Sequence, residues 1–574
     1  MKDEEVLSLA LDRFKTVQTA ESDIRDAFLE DVKFTYNVDD GQWDDTVRQE
    51  RQNDNRPCLT VNKLRKFVAQ VANKMRDSRM GANTIPVDDD ADVARAKIFN
   101  GIIRNIEYQS DAQKAYAWGA EMQLSGGLGY WRILTEYVEN GFDQEIKIKK
   151  IDNPLSVYYD PKKNYCFIRT HMTVKDFKAE YADQFPGDFD YASIGQEFEG
   201  WYEDEKVYVA EYFSKEPFDK QIAQIKNPLT GETSIIEVKL GMDLSVFEVL
   251  QTRTVKTHKV MWYKITANKV LEKRAWVGKN IPIIEVNGDE INVSGKLYKR
   301  SLVRDAKSPQ MMYNYWLTAI TEKGALAPKA PFILKAGWIK GHQHMWDNAN
   351  TKNYPYLLVN DSADQLPVRQ QPIQIDSGPL TILNIANNDI KDTFGMYEPS
   401  LGESSNERTG RAIYARQQRS DVGTYHFVAN FADAVLETAR QLIDLIPKIY
   451  DTERIIRIRD FEGAEEAITI NQAVTDDGGK KTLINDLTVG KYDVRADAKS
   501  YSTRRQETNE FMIEALQYAP QVAPLILDLM FKYSDVPGAK EIETRIQQVM
   551  PMLMQGMMGG NGEGTPTKSK EGAK

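Results

Sequence analysis

The chain has 574 residues, 41% of them hydrophobic and 28% charged, enough apolar material for several domains and too much for a disordered chain. No run of about 18 apolar residues occurs, and the start, Met-Lys-Asp-Glu-Glu, is acidic, so neither a membrane span nor a signal peptide is expected. A net charge of −11 disfavours a tight, sequence-independent DNA binder but not a surface past which DNA slides; two cysteines, Cys58 and Cys166, suit a reducing cytoplasm without a disulfide framework.

Residues 1–80 read as largely helical. Val6, Leu9, Ala10 and Phe14 form one apolar stripe and Ile24, Phe28, Val32 and Tyr36 a second, before Asp39-Asp40-Gly41 breaks the pattern. Residues 55–64 begin extended, then enter a helix carrying Leu64, Phe67, Val68, Val71, Ala72 and Met75, with Asn62 as its cap and Lys63, Arg65, Lys66 and Lys74 on a solvated face. Asp88-Asp89-Asp90 precedes a helical stretch over 91–110, where negative charge is stabilising without a metal. Residues 111–125 are helical. Gly126-Gly127-Leu128-Gly129 then turns into a strand, the reverse of the order a phosphate loop needs. Asn140-Gly141 makes a hairpin turn to a return strand at 144–151. Strands at 155–159, 206–213, 233–240, 245–254, 259–265, 270–275 and 281–286, with a helix at 172–185, make a β-rich lobe.

The chain is organised around residues 306–450. Ser308-Pro309 opens a helix that runs to Gly324 and carries Met312, Tyr315, Trp316, Ala319 and Ile320 at helical spacing. A compact insert follows, and a second helix starts at Ser377-Gly378-Pro379 with Ile382, Leu383, Ala386, Ile390 and Phe394 on one face. Residues 399–410 are too polar and flexible to pack in a core. A helix is expected from 411 to 450, about 60 Å long, with Val428, Phe431, Val435, Ala439, Leu442, Ile443 and Ile446 on one face; Gly423 is a point where it can bend. Strands at 454–459, 467–470, 483–485 and 493–498 are expected to return to the β-lobe, followed by helix around 503–516 and 542–550.

No catalytic constellation emerges. Gly478-Gly479-Lys480-Lys481-Thr482 fails the spacing of a phosphate loop, and His342 and His344 are two ligands where a metal site needs more. No H-E-x-x-H, Cys-x-x-Cys or G-x-S-x-G occurs, which favours a structural or assembly protein.

Several strings together carry a resemblance. They are residues 302–310 (Leu-Val-Arg-Asp-Ala-Lys-Ser-Pro-Gln) with the aromatic helix after them, Ala330-Pro331-Phe332, His344-Met345-Trp346-Asp347, and Tyr354-Pro355-Tyr356-Leu357. To these are added residues 56–62 (Arg-Pro-Cys-Leu-Thr-Val-Asn) and Asp160-Pro161 after an aromatic strand. Over roughly residues 20–550 the chain resembles the portal proteins of short-tailed (podovirus-type) double-stranded-DNA bacteriophages. The resemblance implies an α+β portal fold with long stem and wing helices, a β-rich wing lobe, an α/β clip insert and a helical C-terminal crown. It places the wing at 1–306, stem helices at 307–327 and 377–396, the clip at 328–376 and the tunnel loop at 397–410. The long wing helix and returning strands fall at 411–502, the crown at 503–557 and a disordered tail at 558–574. A further helical barrel found in some members is expected to be absent or vestigial, since the chain ends soon after Met558.

It also implies a non-enzymatic homo-oligomeric ring without cofactors, dodecameric in that family, at one capsid vertex of the virion and assembled in the host cytoplasm. The implied partners are double-stranded DNA moving through the channel in packaging and ejection, the packaging terminase, tail and adaptor proteins, and capsid and scaffolding proteins, with no membrane. Glu403, Glu407, Arg408 and Arg411 are candidates for meeting passing phosphates, or else Arg408 and Arg411 pair with carboxylates across subunits. Trp338, Lys340 and Trp346 are candidates for subunit or motor contact, or else form a small local core. Another virion connector or adaptor ring, and a packaging enzyme subunit, stay open at this point.

Overall fold

The computed structural model describes residues 2–78, 81–87, 92–139, 141–185, 190, 201–203, 205–226, 233–238, 248–326, 331–370, 377–395, 421–459, 465–475, 481–496 and 511–518, and singly 526, 530 and 545. The chain divides into two compact units, Met1–Asn73 with Thr84–Arg495, and Lys74–Asn83 with Ala496–Lys574. In the second unit residues 511–518 are helical and Met512 is buried. The architecture is α+β.

Helix α1 (Asp3–Tyr36) is one continuous rod of 34 residues. Asp3, Glu4 and Glu5 favour its first turn through the macrodipole, and Asn37, at φ 52°, ends it in a left-handed cap. Helix α2 (Asp45–Asn53) is capped by the Asp44 side chain, and α3 (Leu64–Ser78) by Asn62, whose Oδ1 accepts from Arg65 N–H at 3.3 Å. Strand β1 (Ala82–Pro86), helices α4 (Val93–Gln109) and α5 (Ala112–Gly126), and the hairpin β2 (Leu128–Tyr137) and β3 (Gln144–Lys150) follow. The α5–β2 turn is the glycine turn expected: Gly127 sits at φ 90°, and a Cβ on Gly129 would lie 2.0 Å from the Gly119 carbonyl oxygen.

Strands β4 (Val157–Tyr159) and β5 (Tyr165–Thr173), helix α6 (Val174–Tyr181), and strands β6 (Tyr202–Glu203), β7 (Lys206–Lys226), β8 (Thr233–Glu237), β9 (Glu248–Ile265) and β10 (Val270–Ala275) build a seven-stranded antiparallel sheet. Its order is β10-β9-β7-β5-β4, with β6 and β8 added on β7. Neighbouring residues alternate between two cores: Phe167 and Tyr212 bury on one face, Cys166 and Phe213 on the other. Helix α1 serves both. Val6, Ala10 and Phe14 enter the first core and Ile24 and Phe28 the second, so the rod passes the β4 edge. There Arg25 donates to the Val157 carbonyl at 2.8 Å and stacks on Tyr158, covering an edge that would otherwise be open.

Three expectations change here. Residues 165–173 are a strand, and the helix expected over 172–185 runs over 174–181 and continues as a 3-10 helix over 182–184. Strands expected at 245–254 and 259–265 are one strand, and β7 continues to Lys226. Past Lys215 most positions of β9 are exposed, so threonines such as Thr252 and Thr254 stand where apolar alternation was sought.

Strand β11 (Ile283–Asn287) pairs with β2, and β12 (Asp289–Val293) with β13 (Lys296–Arg300). Helix α7 (Lys307–Leu326), a small insert with β14 (Phe332–Ile333), α8 (Gln343–Asp347) and β15 (Val368–Arg369), and helix α9 (Ser377–Phe394) come next. Helix α10 (Tyr425–Ile449) buries Phe431, Val435, Ala439, Leu442 and Ile446 of the expected face and leaves Val428 and Ile443 half-buried, and Trp131 Nε1 donates to Thr438 at 2.9 Å. Strands β16 (Arg454–Arg459) and β17 (Glu465–Ile470) form one hairpin and β18 (Gln472–Thr475) and β19 (Lys481–Ile484) another. Strand β20 (Tyr492–Ala496) starts beside Lys491, whose carbonyl accepts from Val87 N–H at 2.9 Å. Contrary to expectation, none of these joins the seven-stranded sheet. Helix α4 draws β16 away: the Arg459 guanidinium lies 3.2 Å over the Tyr108 ring. No helix among the described residues is long and apolar enough to cross a membrane.

Between α4 and α5, Tyr116 OH donates to Glu107 at 2.9 Å. Burial pushes the Glu107 carboxyl up to about 7, against the pull of Tyr116 and Arg104. The folded chain therefore keeps a proton that the unfolded chain loses above about pH 4.5, and stability falls as pH rises to about 7. Glu107→Gln removes that fall. Its thermal stability relative to the parent is expected to rise between pH 5 and pH 8, by about 2 kcal/mol given the half-buried side chain. A pH-independent difference would refute the assignment.

Candidate functional site

Helix α7 is polar where it is most buried. Gln310, Asn314 and Thr318, spaced four residues apart, have no solvent exposure. They face the extended segment 57–63. Thr318 Oγ1 accepts from Leu59 N–H at 3.1 Å, Asn314 Oδ1 from Val61 N–H at 3.1 Å, and Gln310 Oε1 from Lys63 N–H at 3.1 Å. Gln310 Nε2 also donates to the Val61 carbonyl at 2.9 Å. Four helical residues rise about 6.0 Å and two extended residues about 6.6 Å, so alternate backbone amides meet successive turns of the helix. The even-numbered residues turn the other way: Thr60 accepts from Trp43 Nε1 at 3.0 Å, and Asn62 donates to the Thr35 carbonyl at 2.7 Å. Gln42 Oε1 closes the row by accepting from Asn314 Nδ2 at 3.1 Å. One turn further, Glu322 binds Arg51 at 2.6 Å and Arg56 at 3.0 Å.

The start of α7 is anchored on α1. Asp31, 1% exposed, accepts from Ser301 Oγ at 2.7 Å and from Arg304 at 2.8 and 2.9 Å, and pairs with Lys307 at 2.5 Å. Burial disfavours the ionised form of neighbouring Glu30, yet Lys307 and Arg304 outweigh it and hold that carboxyl below its ordinary value. The stripe expected to pack on this helix lies at most half-buried, and Tyr315 is 46% exposed. Helical spacing alone could not reveal the inner face, because its residues are polar; the Gln, Asn, Thr, Glu run at four-residue spacing is the signal that was available.

Helix α9 packs beside α7 with Ala386, Ile390 and Phe394 buried, and Phe394 stacks on Phe67 at 4.6 Å. The chain then leaves at Gly395 and comes back at Gly423. A Cβ on Gly423 would sit 3.3 Å from the Phe394 carbonyl oxygen and 3.5 Å from Gly395 Cα. Gly423 lies in a 3-10 turn (Asp421–Thr424) ahead of α10, so it marks a close approach of two backbones. Glu403, Glu407, Arg408 and Arg411, the proposed loop at 397–410 and the first part of the long helix lie outside the described residues.

In the insert, Trp346 Nε1 donates to the Leu358 carbonyl at 2.7 Å and its ring meets Phe332 edge-on at 5.2 Å. Trp338 is half-buried, with Lys335 over its ring and its carbonyl accepting from Asn360 N–H at 2.8 Å. Lys340 is exposed. His344 stands edge-on to Tyr354, 6.4 Å away.

A family model described as "Phage P22-like portal protein" matches residues 11–567. The chain belongs to that family. It is also 24% identical, over 535 residues, to a protein named "Portal protein" of Acyrthosiphon pisum secondary endosymbiont phage 1, covering 86% of this chain and 73% of that one. Two of the strings that resembled portals, residues 56–62 and 302–310, now have a joint physical role. They are the extended strap and the start of the helix that holds it, joined where Gln310 donates to the Val61 carbonyl.

Asn314→Leu leaves the Val61 amide and Gln42 without their buried partner. It should destabilise the chain by about 3–5 kcal/mol in a denaturant titration. A loss under about 1 kcal/mol would mean that water or a shifted strap replaces the contact.

Proposed function

We propose that this chain forms a ring, dodecameric, at one vertex of the phage capsid, through which double-stranded DNA is packaged and later ejected. The observation that carries the reading is the family match along nearly the whole chain, and the pairing of two helices around a small insert accords with it. Portals of this family are structural parts of the virion at the capsid, acting as oligomeric rings with the packaging machinery and without catalysis.

In this reading α7 and α9 are the stem, the insert at 328–376 is the clip, residues 397–410 are the tunnel loop, α10 crosses the wing and residues 503–557 are the crown. The wing comprises residues 1–306 and 411–502. Exposed apolar side chains support packing between subunits: Met311, Tyr315, Leu380 and Ile385 on the paired helices are 38–48% exposed. On the insert Tyr356, Leu366 and Val368 are 66–75% exposed, suited first to the terminase and later to tail and adaptor proteins. Capsid and scaffolding proteins meet the outer wing, and assembly takes place in the host cytoplasm. Ring symmetry multiplies the charge of −11, which keeps the channel wall from adhering to DNA. Glu403, Glu407, Arg408 and Arg411, on or beside the tunnel loop, are the residues proposed to meet passing phosphates.

The native mass of the purified protein, with particle images of the same sample, should show rings with a central channel. A monomer that hydrolyses ATP would instead make it a packaging enzyme. Arg408→Ala with Arg411→Ala should lower DNA packaging while leaving ring mass unchanged; normal packaging by weakened rings would assign both arginines to pairing across subunits.

A further inference from the structure

An open cavity of about 510 Å³ is lined by residues of α10, β11, the β4–β5 turn and β7, a volume in the range of small-molecule sites. Backbone geometry brings two lysines to it. Lys163 takes the left-handed conformation, at φ 56°, in the turn, where its N–H donates to the Asp160 carbonyl at 2.7 Å. The carbonyl of the next residue, Asn164, accepts from Lys215 N–H at 2.8 Å, which ties the turn to β7. Lys163 and Lys215 thus line the same cavity.

The charges on its wall are not matched. Glu285 of β11 is committed to Lys299 at 2.5 Å and to Tyr130 at 3.1 Å. Glu437 of α10 accepts from Gln441 at 3.0 Å and lies 3.9 Å from Arg440. The ammonium groups of Lys163 and Lys215 have no ion-pair or hydrogen-bond partner among the described residues. Lys215 is half-buried. Burial lowers its pKa; Glu437 opposes that from beyond ion-pair distance, and Lys163 adds to it. Two like charges at one half-buried wall are unfavourable until an anion sits between them. The remaining acids of the lining, Glu290 and Asp433, are exposed. They repel an extended polyanion such as a nucleic-acid strand more than a compact ion.

We infer that this cavity binds a small oxyanion, the phosphate or carboxylate group of a small molecule, seated between Lys163 and Lys215. Lysine suits the role because its ammonium is a compact point charge with rotatable donors, which accepts either group without a fixed fork geometry. The bound ion removes the repulsion between the two side chains, and so stabilises the β4–β5 turn against β7. The site is complete within one chain, so it does not depend on ring formation.

The test uses the full-length chain in buffer free of phosphate and carboxylates, titrated with inorganic phosphate and, separately, with citrate, against sodium chloride of equal ionic strength. Acetylation of Lys215 by acetic anhydride is followed by peptide mass spectrometry, with the exposed Lys340 as internal control. The expected result is saturable, several-fold slowing at Lys215 by at least one of the two probes, none by chloride, and an unchanged rate at Lys340. The same probe should raise the melting temperature of the parent. Lys163→Met and Lys215→Met should each weaken that response at least tenfold in probe concentration. Circular dichroism checks the fold of both; Lys163 is exposed on a turn, so its variant decides if Lys215→Met misfolds. Equal slowing at Lys340, or slowing that survives Lys163→Met, is general screening and overturns the inference. No response to either probe also overturns it. Protection of Lys215 that appears only on assembly, without either probe, overturns it too and assigns the cavity to a subunit contact. None of these outcomes touches the portal reading, which the native mass decides.

Discussion

Pairing of a buried extended backbone by side chains of a helix is the constraint on which the helical part of this protein depends. Segment 57–63 lies against α7 and pairs with no strand among the described residues, so its amides would be orphaned without another donor or acceptor set. Gln310, Asn314 and Thr318 supply that set, and Gln and Asn are suited to it because each offers both a donor and an acceptor. The two repeats differ by about 0.6 Å per step, and side chains of different reach absorb the mismatch.

That arrangement inverts the usual polarity of a soluble helix. The inner face of α7 is spent on hydrogen bonds, and its apolar residues turn partly outward. In an isolated chain this would be a liability. In a subunit of an oligomeric ring it leaves apolar surface where a neighbour can cover it, and the polar inner row sets the helix orientation because hydrogen bonds are directional where apolar packing is tolerant. Asp31 fixes the beginning of the same helix to α1, the rod that also joins the two cores of the large sheet. Sheet, rod, strap and paired helices are thus one connected set of contacts.

Much of the chain was legible from local signals. The glycine turn at Gly127, the β2–β3 hairpin, the cap at Asn62 and the apolar face of α10 depend on residues close in sequence, and each formed as its pattern required. Strand β5 was hidden because its buried run, Cys166 to Ile168, is short and is followed by the polar Arg169, Thr170 and His171. The outer β7–β9 ribbon was read as interrupted because it stands in solvent and needs no strict alternation. Among the candidate site residues, Trp346 bonds the Leu358 carbonyl and meets Phe332 within the insert, and Lys340 is exposed.

By itself the sequence determined the kind of each strongly periodic element, the breaks between them and, through its scattered strings, the family. Only the tertiary structure decided which face of α7 is inside, that residues 56–62 and 302–310 are partners, and that β16–β20 stay apart from the large sheet. Periodicity reports which side chains share a face. What that face meets is set by segments about 250 residues away, and a polar row spaced for a helix becomes a buried site only when an unpaired backbone is laid against it.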